Sequence, residues 1–511
     1  MKKILKKENI FFLFLIAYVF SFIIVKPISN LDELWNYNMA RTISEGLIPY
    51  KEVSMVITPL LSFINAVFLL ILGNNLIIMR ILASVLCATI LYVTFKIFLL
   101  LTRKIKISVI FTLLLGFLMV KDFCIDYNFF SLLLVLIILY LEIKKNDNQK
   151  GLLENLTKIK SNIIIGILAG CVILSKQTIG ATLSLVIVIY PIFWVRNKND
   201  FKIFLKIALQ RILGIAIPMF IMLIYLLLTG SLLDFISYTI LGGLTFSNKI
   251  SYSSLLQGDF IIKSLAIITP ITVIIMIIIS IFTKKIKEST NFKILTIYSL
   301  VPIIIIYPIS DQIHFLIGSY IVFIGILYLL FLILKWAVGK SNLKQKDFIL
   351  YIIELTTCVI MLSFTAISIV KNVMTYINAD ESSKNHGIKH YENLIIEPYL
   401  LDRIKEIDAF ITSQNGKKVY ILDAEAAVYN IPLDIYYKDY DMFNLGNFGK
   451  DGTEGIIQRI EKGQETDDCI YLVRNPSYNY NWQTPMDVIH YVQNNLEKIG
   501  QVSIYDIYLY N

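Results

Sequence analysis

Residues 58–106 read TPLLSFINAVFLLILGNNLIIMRILASVLCATILYVTFKIFLLLTRKIK, and the topology of the chain depends on how this stretch is interpreted. It holds two apolar segments, Thr58–Gly73 and Leu76–Leu101, followed by the basic cluster Arg103–Lys106. Cytoplasmic loops of membrane proteins carry an excess of Lys and Arg. If both segments crossed the membrane, this cluster would lie outside. If only the second crosses, the cluster and every later basic loop lie inside. We therefore predict that Thr58–Gly73 is a juxtamembrane helix on the outer surface and that Leu76–Leu101 is a span.

The predicted juxtamembrane helix is short and has recognisable ends. Thr58 and Pro59 suit the N-cap and the first helical position. The sequence Gly73-Asn74-Asn75 suits the end of the helix and a turn into the following span.

The composition is that of a membrane protein. Of 511 residues, 56% are hydrophobic and 17% are charged, and the mean hydropathy is +0.68. Soluble domains carry about a quarter charged residues. The net charge of +9 comes largely from lysines in short loops between apolar runs, so it reports topology and excludes nucleic acid as a partner. The five cysteines form no close pair, which excludes a disulfide framework or a zinc site.

With the basic loops placed in the cytoplasm, the apolar runs predict about eleven membrane-spanning helices surrounded by membrane lipid. The lysine-rich start precedes an apolar stretch without a small-residue cleavage site, which predicts a retained anchor with a cytoplasmic N-terminus. The predicted spans are Ile10–Lys26, Leu76–Leu101, Ser108–Val120, Phe129–Leu141, Ile163–Ser175, Ala181–Trp194, Ile207–Leu228, Ile261–Phe282, Phe292–Ile306, Phe315–Leu334 and Phe348–Val370. The predicted inner loops include the basic stretches at 144–160, 196–198, 284–287 and 340–346.

The chain divides into a membrane module, residues 1–370, and a C-terminal part, residues 371–511, of ordinary soluble composition. The module carries an external loop at 27–75. After an odd number of spans the C-terminal part lies outside the cytoplasm. Its predicted elements are two buried strands and two amphipathic helices, at Lys418–Asp423, Cys469–Val473, Thr453–Lys462 and Thr484–Ile499. Strands that alternate with helices predict a small α/β domain.

Ionisable side chains gather at the predicted outer ends of the spans. They are Asp32, Glu33, Asp122, Asp126, Lys176, Asp311 and His314. Together they predict a polar floor beneath an external cavity. A carboxylate in such a place can act as a general base or bind a metal ion, and a lysine can hold a phosphate.

The acids also have a structural interpretation, which the sequence leaves open. Asn30 followed three residues later by Glu33 fits a helix N-cap, so Asp32 and Glu33 both suit the start of a helix. Asp122 beside Lys121 fits a solvated ion pair. The two interpretations are compatible.

The remaining candidate site residues also have structural interpretations. Glu33, Tyr37 and Arg41 share one helical face at four-residue intervals, which suits a row of side-chain contacts. Lys176 fits an interfacial lysine whose ammonium reaches water. His314 fits a residue at the membrane boundary.

Arg80 lies near the start of the span Leu76–Leu101. A charged side chain in the middle of a spanning helix costs about 2.5–3.5 kcal/mol to insert, whereas one near an end can reach the interface. In the predicted topology Arg80 points outward, toward the same cavity.

The first external loop resembles that of a known enzyme family. The residues that carry the resemblance are Asp32-Glu33-Leu34-Trp35-Asn36-Tyr37, Ala40-Arg41, Gly46, Pro49-Tyr50 and Thr58-Pro59-Leu60. They are similar to the first loop of the GT-C membrane glycosyltransferases, in the branch of the protein O-mannosyltransferases and lipid A aminoarabinose transferases. An acid beyond the third crossing, an arginine that opens a span and an external C-terminal domain extend the likeness.

The resemblance implies transfer of a sugar from a polyprenyl-phosphate donor to a protein, lipid or polysaccharide acceptor at the outer face of the membrane. In that family the first-loop acid, here Asp32 with Glu33 beside it, acts as a base or orients the acceptor, and basic residues hold the donor phosphate. Asp126 is the third catalytic candidate. The candidates for substrate binding are Tyr37, Arg41, Arg80, Asp122, Lys176, Asp311 and His314.

The chain departs from the family pattern at two places, the residues that hold the donor phosphate and the residues that bind a metal ion. Relatives often carry a lysine before a Pro-Pro-Leu sequence, whereas this chain has Ile57-Thr58-Pro59-Leu60, so Arg80, Lys176 or His314 would have to replace that lysine. Some GT-C enzymes use a divalent metal ion. Asp126 has no neighbouring acid in a D-x-D or D-x-E pattern, so Mg²⁺ or Mn²⁺ is not favoured and no other cofactor is expected.

Other classes of function remain open on the sequence. A lipid-linked donor keeps its phosphosugar at the interface, which suits polar groups at helix ends, whereas transporters place ionisable residues near the midplane on broken helices. A flippase or a polymerase of lipid-linked saccharides would also present a polar outer face. A receptor or scaffold would leave Asp32 and Asp126 without a role.

Overall fold

The computed structural model describes residues 2–145, 158–244, 249–282, 287–340, 346–461 and 469–509. The basic loops predicted at 144–160, 284–287 and 340–346 lie mostly outside these described residues. The chain consists of a helical membrane module followed by a smaller α/β domain.

Every predicted span overlaps a helix, and two of them, Ala181–Trp194 and Phe292–Ile306, end in short 3₁₀ helices after the α-helix stops. The helices of the membrane module are α1 Lys2–Ile24, α2 Leu31–Ser44, α3 Leu60–Leu72, α4 Leu76–Thr102, α5 Ile105–Met119, α6 Tyr127–Lys145, α7 Ile159–Ile173, α8 Gln177–Ile189, α9 Lys198–Leu228, α10 Leu232–Ile236, α11 Phe260–Phe282, α12 Lys287–Ser299, α13 Gln312–Lys340 and α14 Lys346–Ile377. Among the described residues, seven helices are long and apolar enough to cross a membrane, and shorter apolar helices pack between them. The prediction of a polytopic helical membrane protein is confirmed.

The helix α3 is amphipathic and too short to span. Its 13 residues extend about 20 Å, against a hydrocarbon core of about 30 Å. Leu61 and Leu69 are buried against the module, whereas Leu70 and Ile71 are 67% and 72% exposed, as suits contact with lipid. The helix begins one residue later than predicted, because Pro59 occupies the N-cap position and the Thr58 hydroxyl donates to the Ile173 carbonyl instead.

Close helix packing and buried ion pairs hold the module together. The helices α7 and α9 approach so closely at Gly166 and Gly214 that a Cβ on either glycine would lie 2.8 Å from the Cα of the other. One turn away, the fully buried Arg211 of α9 pairs with Glu142 of α6 at 2.5 Å and donates to the Ile187 carbonyl of α8. An ion pair shielded from water in this way ties three helices to one another.

The C-terminal domain is built on a four-stranded sheet with the order β1-β2-β4-β3. The strands are β1 Val419–Leu422, β2 Ile470–Arg474, β3 Glu497–Val502 and β4 Tyr505–Leu509, and the helices are α15 Glu381–Lys384, α16 Pro398–Ser413, α17 Ala426–Asn430, α18 Gly452–Glu461 and α19 Met486–Asn495. The strands β1 and β2 are parallel and fully buried, as the two apolar runs predicted. The helix α18 matches its prediction except at Lys462, which lies outside the described residues.

The predicted helix Thr484–Ile499 is wrong at its C-terminal end. The helix α19 stops at Asn495, and Glu497–Val502 forms the edge strand β3, which pairs antiparallel with β4. Gly500 lies beside an irregularity in this pairing. The strand β3 is polar and largely exposed, so its sequence carries no alternation that would identify it.

The domain packs on α2, the helix of the first loop. The indole nitrogen of Trp35 donates to the Ala424 carbonyl at 3.2 Å, and Asn38 donates to Asp441 at 2.8 Å. The backbone of the first loop also pairs with the domain, where the amide of Ile28 donates to the Ile395 carbonyl. The helix α2 is therefore enclosed between the membrane module and the domain.

We predict that Gly166→Ala destabilises the protein by at least about 1–3 kcal/mol, because the new methyl group would meet the backbone of α9, which cannot rotate away as a side chain can. The matched control is Gly116→Ala, whose Cβ would lie 3.4 Å from the side chains of Leu91 and Tyr18. The melting temperature of the detergent-solubilised protein measures both. Equal effects of the two substitutions would contradict the close approach of α7 and α9.

Candidate active site

A cavity of about 430 Å³, here named the central cavity, lies between the ends of the membrane helices and the C-terminal domain. Its floor comes from the first turn of α2, the start of α6, the α7–α8 connection and the start of α13. Its roof comes from two loops of the domain, at 442–447 and 481–483. Four of the predicted site residues line it, namely Asp32, Lys176, Asp311 and His314, and so does Tyr127, the neighbour of Asp126.

Asp32 lies in the first turn of α2, whose N-cap is Asn30 as predicted. The Asn30 side chain accepts from the Glu33 amide at 3.1 Å, so the cap does not use the Asp32 carboxylate. Within the described part of the chain, this carboxylate accepts no hydrogen bond and forms no ion pair. Desolvation, followed by repulsion from the Asp126 carboxylate, raises the pKa of Asp32 to about 7. A carboxyl group with such a pKa can accept a proton near neutral pH.

Asp126 and Lys176 are joined through Asn128. Asp126 accepts from the Asn128 amide at 2.6 Å, and the ammonium of Lys176 donates to the Asn128 side chain at 2.5 Å. Desolvation also raises the pKa of Asp126, while it lowers the pKa of Lys176 to about 8. The acids beyond the first and third crossings therefore meet at one place, together with a cation.

Asp311 and His314 form a pair at the start of α13, where both line the central cavity. The ring nitrogen Nδ1 of His314 lies 2.9 Å from both carboxylate oxygens of Asp311, and the His314 amide donates to the same carboxylate at 2.8 Å. Desolvation opposes ionisation of Asp311, but the hydrogen bonds from His314 outweigh it and lower the pKa of this carboxyl. Such a pair fixes the orientation of the imidazole.

Glu33 and Arg80 were predicted to face the external cavity, but neither residue lines the central cavity. The guanidinium of Arg80 binds both carboxylate oxygens of Glu33, at 3.0 and 2.9 Å, and the exposed fractions of the two side chains are 1% and 6%. The same guanidinium donates to the Lys26 carbonyl at 2.6 Å. The two charges satisfy each other, which gives them a positioning role at the junction of α1, α2 and α4.

Asp122 lines a separate cavity of about 270 Å³, together with Glu33, Lys26 and Lys121. Its carboxylate accepts from Gln312 at 2.9 Å. This smaller cavity, here named the side cavity, therefore lies next to the start of α13. Asp122 is not simply a solvated partner of Lys121.

Tyr37 and Arg41 face the C-terminal domain instead of the central cavity. The Tyr37 hydroxyl donates to the Asn74 side chain at 2.9 Å and lies 3.1 Å from Nδ1 of His390. Arg41 pairs with Glu45 at 3.3 Å and also donates to the Ile435 carbonyl. These contacts hold the domain on α2.

Several cavity residues escaped the sequence analysis. Asn36 lies one helical turn after Asp32, and Gln177 directly follows Lys176. The roof residues come from loops more than 400 positions after Asp32 and include Asn444, Asn447, Asn481, Trp482 and Gln483. The Asn- and Gly-rich composition of these loops predicts turns but carries no information on what they face.

No group of three or more His, Cys, Asp or Glu side chains within the described ranges is arranged to hold a metal ion. The donors at the central cavity are spread along its walls. Asp126 has Asn128 and Lys176 beside it, and the lysine ammonium competes with a cation for the same carboxylate.

We predict that Arg80→Met destabilises the protein by about 3–5 kcal/mol, because it leaves the Glu33 carboxylate buried and unpaired. Lys389→Met is the matched control. Lys389 pairs with Asp434 at the surface and is 58% exposed, so its loss costs about 0–1 kcal/mol. Thermal unfolding in detergent measures both, and a small effect of Arg80→Met would show that the ion pair does not hold α2.

No protein-family model and no curated protein matches the sequence. Solved structures do match the fold. ArnT from Cupriavidus metallidurans in the apo state aligns over 97% of this chain and 96% of its own, with 11% identity and a TM-score of 0.55. The same protein bound to undecaprenyl phosphate aligns over equal shares, with 10% identity and a TM-score of 0.56. The oligosaccharyltransferase AglB from Archaeoglobus fulgidus aligns over 91% of this chain and 69% of its own, with 11% identity and a TM-score of 0.49.

ArnT is a membrane glycosyltransferase of the GT-C superfamily. The similarity to ArnT extends over nearly the whole length of both chains, although the sequences have diverged almost completely. The first-loop resemblance predicted this outcome. The protein is a multi-pass membrane protein with the GT-C glycosyltransferase fold.

Proposed function

We propose that the protein is a glycosyltransferase that moves a sugar from a polyprenyl-phosphate donor to an acceptor of the cell envelope. One observation carries the proposal. The central cavity of a GT-C fold holds Asp32, a carboxylate without a partner among the described residues, close to the ammonium of Lys176. The two groups suit the two ends of a transfer reaction, the incoming hydroxyl and the departing phosphate.

The proposed reaction needs one proton transfer and one displacement. Asp32 accepts the proton of the acceptor hydroxyl, and the hydroxyl oxygen bonds to the anomeric carbon of the sugar. The bond between that carbon and the phosphate oxygen breaks, and the polyprenyl phosphate leaves with the electron pair. Lys176 and His314 both line the central cavity, and both offer N–H groups to the leaving phosphate.

We propose that the lipid tail of the donor lies between helices of the membrane module, beside the side cavity. A narrow apolar crevice runs between α5, α6 and α13, lined by side chains such as Leu115, Phe129 and Leu316. Asp122 stands in the walls of both this crevice and the side cavity. ArnT, which has the same fold, binds undecaprenyl phosphate in one of its structures, which supports a donor of this class.

We infer that the central cavity opens on the outer side of the membrane. The helix ends that meet at the cavity are those which follow odd-numbered spans, and the basic loops follow the even-numbered ones. The positive-inside rule places the basic loops in the cytoplasm. The C-terminal domain roofs the cavity and thus lies outside with it.

We predict that Asp32→Asn lowers transfer from a polyprenyl-phosphate sugar at least 100-fold, since the amide cannot accept the proton and general-base catalysis contributes about 10²–10⁴-fold. The assay uses purified protein in liposomes with a radiolabelled donor. Asp402→Asn, an exposed acid of α16, is the matched control and retains wild-type activity.

Full transfer by Asp32→Asn would remove Asp32 from the mechanism. Movement of the lipid-linked sugar across the liposome membrane, with no sugar transferred by the wild-type protein, would identify a flippase instead.

We predict a bell-shaped dependence of kcat/KM on pH. Asp32 must be ionised, so the rate falls about tenfold per pH unit below its pKa of about 7. Lys176 must be charged, so the rate falls above its pKa of about 8. In Lys176→Arg the alkaline limb disappears, because a guanidinium does not titrate in this range. An alkaline limb that persists in Lys176→Arg would assign it to another group.

A further inference from the structure

The walls of the central cavity contain amide groups that lack hydrogen-bond partners. The side-chain oxygens of Asn36, Gln177, Asn444 and Asn447 are buried and accept no hydrogen bond from the described residues. All four residues line the central cavity. Two belong to the membrane module and two to the roof. Buried polar groups in folded proteins are nearly always paired, so four unpaired ones around one cavity need an explanation.

The unpaired atoms are hydrogen-bond acceptors. The Asn36 amide nitrogen donates to the Asp32 carbonyl at 2.8 Å, and that of Asn447 donates to the Met442 carbonyl at 3.0 Å. Gln177 donates to two backbone carbonyls, at 3.2 and 3.1 Å. In these three residues the nitrogen is already used, which leaves the oxygen as the free atom. The side chain of Asn444 makes no hydrogen bond to the described residues through its oxygen or its nitrogen, so it can turn toward a ligand.

The roof amides of Asn444 and Asn447 stand on one loop, which the second roof loop braces. The Asn447 amide donates to the Asn444 carbonyl at 3.1 Å, and Gly446 has a φ of +86°, which a turn requires at this position and which favours glycine. The Leu445 amide donates to the Gln483 carbonyl at 2.9 Å and joins this turn to the second loop. The roof is therefore preformed before any ligand enters.

The chemistry of these groups selects the ligand. Acceptor oxygens repel a phosphate or a carboxylate and bind groups that carry O–H or N–H donors. A neutral saccharide offers several hydroxyl donors close together and has apolar ring faces. Trp35, Met39, Met442 and Trp482 supply apolar surface on the same walls. Lys176 and His314 line the same cavity and supply the N–H donors that suit the phosphate.

We propose that Asn36, Gln177, Asn444 and Asn447 form a saccharide subsite that binds sugar hydroxyls through their amide oxygens. The proposal rests on the proposed function for the fate of the sugar, but binding itself does not depend on transfer. The saccharide can be the sugar of the lipid-linked donor or a carbohydrate acceptor. In either case the C-terminal domain supplies half of the subsite, so it takes part in substrate recognition.

The lead variants are Asn444→Leu and Asn447→Leu in the full-length protein. Binding is measured in detergent with three probes: undecaprenyl phosphate without a sugar, undecaprenyl-phosphate-linked glucose, and a soluble oligosaccharide panel. Asn495→Leu is the control, because its amide bonds only to the Tyr491 carbonyl and lies outside the cavity. We expect each lead variant to bind a sugar-bearing probe about tenfold more weakly and to bind the sugar-free lipid as the wild type does.

The melting temperature separates recognition from a structural role. Asn444→Leu removes a buried acceptor without a partner, so the ligand-free variant melts at the wild-type temperature or above it. Weaker binding of the glucose lipid alone assigns the subsite to the donor, and weaker binding of the oligosaccharide alone assigns it to the acceptor. Wild-type binding of every probe by both lead variants, or a lower melting temperature of Asn444→Leu with equally weakened binding of the sugar-free lipid, would overturn the proposal.

The outcomes also distinguish this proposal from the proposed function. If Asp32→Asn abolishes transfer while the roof variants bind and transfer as the wild type does, the saccharide subsite is wrong and the transferase stands. If Asp32→Asn transfers normally while the roof variants lose sugar binding, the subsite stands and the role of Asp32 is wrong.

Discussion

The ion pair between Glu33 and Arg80 fixes the helix on which the candidate active site depends. Arg80 holds both oxygens of Glu33 and also donates to the Lys26 carbonyl, so one guanidinium joins α4, α2 and the end of α1. Consecutive residues of an α-helix project about 100° apart. When Glu33 is held against the bundle, its neighbour Asp32 is turned to the central cavity. The two adjacent acids, which share one motif in the sequence, thus separate into a positioning residue and a carboxylate that has no partner among the described residues.

The sequence was sufficient for the membrane architecture because hydrophobicity is a local property. The apolar helices at the predicted spans and the short helix Leu60–Leu72 follow from apolar runs and basic loops, which need no knowledge of contacts. The edge strand Glu497–Val502 could not be found in the same way. Its residues are polar, and it is a strand only because β4 pairs with it. The conformation of Glu497–Val502 is set by its pairing with β4, which overrides the local preference of its residues.

The same distinction applies to the candidate site. Asp32, Asp126 and Lys176 could be grouped from the sequence, since the topology alone brings the outer ends of the spans together. The role of Arg80 could not be predicted, because a charge near a helix end can reach either the cavity or another side chain. Asn444 and Asn447 were out of reach for a different reason. Turn residues indicate local conformation, and nothing in a turn records a partner 400 residues earlier in the chain.

The central cavity divides its chemistry between the two parts of the protein. The membrane module supplies the charged groups, where a lipid phosphate would arrive with its tail in the bilayer. The C-terminal domain supplies neutral amides, which are weakly attracted to a phosphate and well suited to hydroxyl groups. A charged roof would compete with Lys176 for the phosphate, and an apolar roof could not tell one sugar from another. The domain is thus better placed to select the saccharide than to take part in the displacement. Contacts of Trp35, Asn38 and Arg41 with the domain fix the distance between these two halves, so α2 couples the proposed base to the proposed saccharide subsite.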